Sequence, residues 1–277
     1  MPPSPGTQDY RALAARIRHL VIDESMRAHV GHIGSSLSIA DILAALYGGV
    51  LSLDGDDRDR FVLSKGHAAL ALYAALHGVG RLDEEELHTY CADGTELGAH
   101  PEHTLAGVDF STGSLGHGLS LGAGAALAAR LQGSGRRAFV LLSDAEHNEG
   151  SVWEAAMFAS HHGIANLIAI ADVNGQQALG YTRDVLDLEP LAERWRTFGW
   201  DARDVDGHDP AALAATIDEL DTRAGLPHVL LARTTFGKGV SFMESQIAWH
   251  YWPLSDEQYE QAVSELDAAT PAQAGAA

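Results

Sequence analysis

The strongest chemical suggestion in this sequence comes from two polar groups spaced thirty residues apart. Ser143-Asp144-Ala145-Glu146-His147-Asn148-Glu149-Gly150 follows the apolar run Ala138–Leu142, and Asp172-Val173-Asn174-Gly175 follows a second run, Asn166–Ala171. A carboxylate and an amide oxygen delivered by neighbouring strand ends are hard ligands suited to Mg2+ or Ca2+. Mg2+ prefers six oxygens and usually binds few protein groups together with ligand phosphates. Asp144, Asn174 and the backbone carbonyl of Gln176 would leave room for two phosphate oxygens and a water. A helix starting near Glu149 would add backbone N–H groups. Taken singly, Asp144 and Asn174 read as well as a helix cap and a turn former. Together, at this spacing, they favour a metal–phosphate site.

The histidines are the second source of chemistry. The chain has 15, and four of them, His32, His67, His100 and His250, lie in glycine-containing motifs. A lone histidine is more often a surface or satisfied residue. Flanking glycines change that reading because they let backbone and side chain approach a ligand closely. Imidazole can also donate or accept a proton near neutral pH. His100-Pro-Glu-His103 suggests zinc, but proline keeps the two rings off one helical face and no cysteine or carboxylate cluster completes the set. Ser111–Gly118 is glycine-rich and precedes the Ala/Gly helix Leu119–Ala129. It is neither a dinucleotide fingerprint nor a Walker loop, and small residues there also permit close helix packing.

These groups need elements to hold them. The first third reads as helical over Tyr10–His29, Ile39–Gly48 and Ala68–Gly78, interrupted by short glycine loops. From Arg136 strands and helices alternate: strands at Ala138–Leu142, Asn166–Ala171, Trp200–Val205 and His228–Ala232, helices at Gly150–His162, Pro190–Phe198 and Pro210–Leu220. That alternation predicts an α/β fold, a doubly wound parallel sheet flanked by helices. Ligands in such sheets bind beyond the carboxyl ends of the strands, which selects Ser143–Gly150, Asp172–Gln177 and Arg233–Gly239. Residues 1–9 and 267–277 read as flexible ends around one domain over 10–266.

Composition narrows the partners. The net charge is −20, from 38 acidic and 18 basic residues, which opposes binding to nucleic acid or an anionic membrane. An anionic cofactor would need local help, and a divalent cation supplies it. Only two lysines occur, Lys65 and Lys238, each beside glycine. No apolar run approaches the ~20 residues of a membrane span, and no signal peptide is visible. One cysteine, Cys91, suits a reducing cytoplasm.

The region around Asp144 resembles the thiamine diphosphate (ThDP) motif, and Glu149-Gly-Ser-Val-Trp-Glu-Ala-Ala-Met-Phe-Ala159 resembles its transketolase version. Further matches follow in the family's order: Gly31-His-Ile-Gly-Ser-Ser-Leu-Ser38, Leu63-Ser-Lys-Gly-His67, Gly98-Ala-His-Pro-Glu-His103, Ser111-Thr-Gly-Ser-Leu-Gly-His-Gly118, and Lys238-Gly-Val-Ser-Phe-Met243 with Trp249-His250. The resemblance covers about residues 10–260. It implies the diphosphate-binding fold of the transketolase family, and ThDP with Mg2+ (or Ca2+) as cofactors. It places the metal on Asp144, Asn174 and Gln176, and the cofactor against His67, Gly113, Ser114, Leu115, Asp144, Ala145, Glu146, Asn174 and His250. His32 and His100 would meet substrate oxygens, and Glu149 would lie at a subunit interface. The implied reaction moves a two-carbon ketol unit from a ketose, phosphorylated or not, to an aldehyde.

In this family a glutamate from the pyrimidine-binding domain activates the cofactor, and that domain follows the portion matched here. The expectation is therefore a split transketolase, an α2β2 heterotetramer formed by this chain with a C-terminal partner subunit. Two departures stand out. Ser143-Asp144-Ala145 replaces the usual Gly-Asp-Gly, so a Cβ could strain the turn or crowd the diphosphate; and Tyr251-Trp252 follows His250 where a smaller, more polar segment is expected. Two alternatives stay open: part of another ThDP enzyme, one that uses 2-oxo acids, or a noncatalytic module that no longer holds the cofactor.

Overall fold

The computed structural model describes residues 9–223 and 225–269; the two terminal segments expected to be flexible lie largely outside these. The helices are α1 Tyr10–Ala28, α2 Ile33–Ser38, α3 Ala40–Ala45, α4 Ala69–Gly78, α5 Glu84–Leu87, α6 Gly118–Leu131, α7 Gly150–His161, α8 Thr182–Val185, α9 Leu191–Thr197, α10 Pro210–Asp218 and α11 Asp256–Ala269. The strands are β1 Arg60–Leu63, β2 Ala138–Ser143, β3 Leu167–Val173, β4 Gln176–Gln177, β5 Gly180–Tyr181, β6 Asp201–Asp206 and β7 His228–Arg233.

Five strands form one sheet in the order β1-β2-β3-β7-β6, and every pair in it is parallel. Period-2 alternation splits each central strand between two cores. Phe139, Leu141, Ile168, Ile170 and Leu230 face α1, α3, α4 and α10, whereas Val140, Leu142, Ala169, Ala171 and Leu231 face α6, α7 and α9. The sheet is thus covered on both faces, as its uninterrupted apolar strands require.

The connection β2–α7–β3 crosses one face. The connection β6–α10–β7 runs back toward the centre of the sheet and crosses the other. Right-handed crossovers force that exchange of faces when the direction of winding reverses. The reversal opens a crevice at the ends of β3 and β7, the place where ligands collect in open α/β sheets.

Local signals set the ends of elements. Asp9 caps α1, its carboxylate accepting from the N–H groups of Arg11 and Ala12, and Asp209 with Pro210 starts α10. The expected helix over Ile39–Gly48 begins earlier and breaks at Ile39: α2 ends there, α3 follows, and a wide turn runs to Val50. β1 and α11 were not legible in the sequence. Residues 267–269, expected to open the tail, complete α11. No described helix is long and apolar enough to cross a membrane.

Candidate active site

Strand register brings the two carboxylate-bearing segments together. Ser143 pairs with Asp172 at the ends of β2 and β3, and the ladder continues one step as the Asp144 N–H donates to the Asp172 carbonyl at 3.1 Å. Asp144 therefore sits beside the loop that carries Asn174. Its Oδ1 accepts from Ala145 N–H at 2.8 Å, and its Oδ2 from Gly175 N–H at 2.8 Å and Thr182 Oγ1 at 3.2 Å. Burial, and then the negative charge of Asp172, push its pKa up to about 7. A carboxylate held this way gains most from a cation, which would restore its ionised form.

Asn174 is oriented from both sides of its amide. Its Nδ2 donates to Asp172 Oδ2 at 2.8 Å, and its Oδ1 accepts from Gln176 N–H at 2.9 Å. A second lone pair on Oδ1, and others on the Asp144 oxygens, remain for a metal. Gln176 opens the small β4–β5 hairpin, and both polar atoms of its side-chain amide are buried without a partner. A cavity of 520 Å³ lies here, lined by Asp144, Asn174, Gly175, Gln176, Thr182 and Thr234 among others.

The histidines arrive from four separate loops. His32, His67, His100 and His250 influence one another electrostatically, and the His32 and His67 rings lie 5.3 Å apart. His67 is held well below the usual histidine range by burial and then by the Lys65 charge. His250 is lowered to about 4 by burial, with His32 and Lys65 adding to it. His32 is lowered by burial and by His100. The Nδ1 atoms of His32 and His250 are buried with no hydrogen-bond partner.

Glycines make the convergence possible, but they face protein rather than ligand at two decisive points. A Cβ on Gly31 would fall 2.4 Å from the Tyr251 carbonyl oxygen, so the loops of His32 and His250 touch through bare backbone. A Cβ on Gly66 would fall 2.9 Å from the Thr112 backbone, which joins the His67 turn to the glycine-rich loop. His250 stacks on Phe236, centroids 4.4 Å apart at 14°.

The remaining expected residues are placed as follows. Gly113 meets the His100 ring, and Ser111, Thr112, Gly113, Ser114, His117 and Leu121 line a second cavity of 610 Å³; Leu115 is half-buried in the same loop. Glu149 is exposed, packs its Cβ against Gly116, and has no ionic or hydrogen-bond partner for its carboxylate among the described residues. Glu146 is turned inward. Its carboxylate accepts from Ser64 Oγ at 2.5 Å and from the N–H groups of Gly116 and Ser143, both at 2.9 Å. It thereby ties three loops beneath the site. α7 begins at Gly150, one residue past Glu149 and six past Asp144, and the nearer turn is a short 3-10 segment, Ala145–Asn148.

Ala145, the first departure, lies in that right-handed turn and is not among the residues with positive φ. Its Cβ therefore strains nothing. Tyr251, the second departure, is 55% exposed and donates its hydroxyl to the Ala178 carbonyl at 2.8 Å, bridging the His250 loop to the β4–β5 turn. His103 contacts Ser111 while His100 lies on Gly113, and no group of three or more metal-binding side chains of histidine, cysteine, aspartate or glutamate occurs among the described residues.

Sequence reasoning passed over the residues beneath these. Lys65 and Asp172 are wholly buried and paired at 2.6 Å, with Ser35, Ser38 and Thr234 around them. The signal was present: a lysine in an acidic chain with only one other, directly after an apolar strand. His147 was likewise given no role. It is buried, bridges the Ser143 and Asp144 carbonyls to Trp195, and is lowered to about 4 by burial.

The site fits ThDP with a divalent cation on its own chemistry. Asp144 and Asn174 present hard oxygens, and unpartnered buried atoms on Gln176, His32 and His250 call for a polar ligand, since each costs about 1–3 kcal/mol while unsatisfied. Comparison with known proteins bears on the thiamine diphosphate. Residues 10–272 match the family model described as transketolase, thiamine diphosphate binding domain. A 6-deoxy-6-sulfo-D-fructose transketolase subunit of Clostridium sp. (strain MSTE9) is 40% identical over 265 residues, covering 94% of this chain and 96% of that one. An apulose-4-phosphate transketolase subunit of Phocaeicola vulgatus is 39% identical over 254 residues, covering 90% of each. The crystal structure of transketolase from Campylobacter jejuni superposes with a TM-score of 0.86 at 28% identity, over 93% of this chain and 42% of that one. The chain thus spans about two fifths of the length of that solved transketolase.

Proposed function

The chain belongs to the transketolase family of transferases, as a counterpart of its thiamine diphosphate-binding domain, and from that premise we propose that it is the diphosphate-binding subunit of a two-subunit transketolase. One observation carries the reading. Asp144 and Asn174 stand side by side at the ends of adjacent parallel strands, and the Nδ1 atoms of His32 and His250 are buried without a partner. Asp144, Asn174 and the Gln176 carbonyl would hold Mg2+, or Ca2+ in its place. His67 and His250 would flank the diphosphate, and the loop around Gly113–Leu115 the aminopyrimidine. When bound, ThDP supplies the electron sink that allows a ketose C–C bond to break.

The protein's own part is to bind, orient and move protons. His32 and His100 would hold substrate oxygens, with His250 near them. All four rings come from loops locked by protein contacts, so they need little reorganisation when substrate arrives. His32 and His250 are held neutral near pH 7 by burial, which suits imidazoles that must accept a proton from a substrate hydroxyl and return it.

The relatives described above are named as subunits and are matched over nearly their whole length, which supports a separate partner carrying the pyrimidine-binding domain and an α2β2 assembly. The exposed, unpartnered Glu149 is available for that interface. Both relatives are named for anionic ketoses, so a phosphorylated or sulfonated ketose is the donor class to screen first, in cytoplasmic metabolism. Calorimetric titration of ThDP, with and without Mg2+, into this chain mixed with its partner tests the core of the reading. Metal-dependent binding that disappears in Asp144→Ala is expected. Absence of binding in the wild type would remove the proposal and favour a noncatalytic module; CO2 release from a 2-oxo acid donor would move it to another ThDP chemistry.

A further inference from the structure

The buried ion pair under the site has no part in the chemistry described above, yet its hydrogen bonds lead to two groups that do. Lys65 is wholly buried, and its ammonium can only donate. It donates to Asp172 Oδ2 at 2.6 Å, to the Ser35 carbonyl at 2.9 Å and to Ser35 Oγ at 3.0 Å. Ser35 Oγ is therefore an acceptor toward Lys65, and its own hydrogen must go elsewhere. His67 Nε2 lies 2.9 Å from it. A hydroxyl donating to Nε2 requires that nitrogen to be bare, so the ring proton sits on Nδ1, which has no partner among the described residues.

The second branch runs through Asp172. Besides Lys65, its Oδ2 accepts from Ser38 Oγ at 2.7 Å and Asn174 Nδ2 at 2.8 Å, and its Oδ1 accepts from Thr234 Oγ1. That carboxylate holds the Asn174 amide by its nitrogen, leaving the amide oxygen to the Gln176 N–H in a residue that lines the cavity.

We propose that Lys65 is a positioning residue acting at two points: through Ser35 it selects the Nδ1–H tautomer of His67, and through Asp172 it turns the Asn174 amide oxygen toward the metal position. The ligand's identity rests on the functional reading above; the relay itself does not. One buried cation then prepares a donor for the diphosphate and an acceptor for the metal. It also contributes positive charge beneath an anionic ligand in a chain of net charge −20.

Ring-nitrogen NMR of the full chain, with 15N-labelled histidine and no ligand, reads the first branch directly. The His67 signals are assigned by their absence in His67→Gln. The wild type is expected to show His67 protonated at Nδ1. Ser35→Ala, which removes only the hydroxyl, and Lys65→Met, which frees that hydroxyl to accept, are both expected to abolish the preference. A fully retained Nδ1–H tautomer in both variants overturns this branch. Lys65→Met leaves Asp172 buried without its cation, so Lys65→Met/Asp172→Asn is compared beside it, and Ser35→Ala still decides the question if neither folds.

Calorimetry with Mg2+ and ThDP reads the second branch in the wild-type and variant assemblies. Indirect contacts of this kind alter metal affinity about 10- to 100-fold. A loss in that range is expected for Lys65→Met/Asp172→Asn, and a smaller loss without change in the Mg2+ requirement for Ser35→Ala. Unchanged affinity in a folded double variant overturns the second branch. Failure of the wild type to bind ThDP would instead strike the functional reading, while the tautomer measurement still judges the relay.

Discussion

The floor and the roof of the site are satisfied to very different degrees. In the floor, Asp144 accepts from three donors, Asp172 from four and Glu146 from four, all within the protein. In the roof, His32 Nδ1, His250 Nδ1 and the whole amide of Gln176 are buried with nothing to bond. A satisfied buried network is part of what specifies the fold; unsatisfied buried groups are a standing cost that a ligand can relieve. The difference separates residues whose loss should harm folding from residues whose loss should harm only function.

The largest expected effect is in the floor. Asp172→Ala leaves Lys65 wholly buried with no counter-charge, and breaking one side of such a pair typically costs about 3–5 kcal/mol. Urea denaturation should show a loss of that size. A loss below about 1 kcal/mol would mean that the floor is not structural and that the contrast fails.

The roof should behave in the opposite way. His250→Phe keeps a ring against Phe236 and deletes the unpartnered Nδ1. Stability is expected to stay level or rise by up to about 1 kcal/mol. Ketol transfer by the assembled enzyme should fall on the order of 100-fold, the usual worth of a positioned proton-transfer group. Equal losses in stability and activity would show that His250 is an ordinary core residue.

Acid titration sharpens the same contrast. His250 and His147 are lowered to about 4 from an unfolded value near 6.5. Between those values these two sites bind more protons in the unfolded chain than in the folded one, so their contribution to stability falls as pH falls, opposed by the raised Asp144. The stability is fully present above about pH 6.5 and lost progressively toward pH 4. One such histidine contributes at most about 1.4 kcal/mol per pH unit. His250→Phe should flatten the curve by up to that slope, read as urea midpoints across pH 4 to 7; an unchanged slope would place the acid sensitivity elsewhere.

How much of this the residues announced depends on how each element is held. β2, β3 and β7 are runs of apolar residues buried on both faces, so pattern alone found them, and the strand-end rule then found Asp144 and Asn174. β1 is four residues, Arg60–Leu63, at a sheet edge, too short for periodicity to separate from a helix fragment. The break at Ile39 also escaped notice; the short α2 before it packs at Gly34 against Phe236, which is distant along the chain. The histidine cluster was legible as motifs, but Gly31 and Gly66 turned out to admit neighbouring backbone. Glu146 shows the limit best. Its position in the motif suggested cofactor contact, but nothing there announced that its donors come from Ser64, Gly116 and Ser143, of which only Ser143 is near in sequence.

The smallest expected effect concerns Ala145, where family pattern and local geometry disagree. Glycine at this point of the motif suggests a conformation closed to other residues, yet Ala145 follows Asp144 at φ −59, ψ −41 into a right-handed turn. Its N–H already serves Asp144 Oδ1, and glycine there would donate equally well. Ala145→Gly would add backbone freedom to the unfolded chain without relieving strain in the folded one. It should therefore lower stability by about 0.5–1 kcal/mol. ThDP affinity should change less than about threefold, because that corresponds to only about 0.6 kcal/mol of contact. A gain of tenfold or more on introducing glycine would show that the alanine methyl crowds the bound diphosphate. The floor would then be less completely prepared for its ligand than its filled hydrogen bonds suggest.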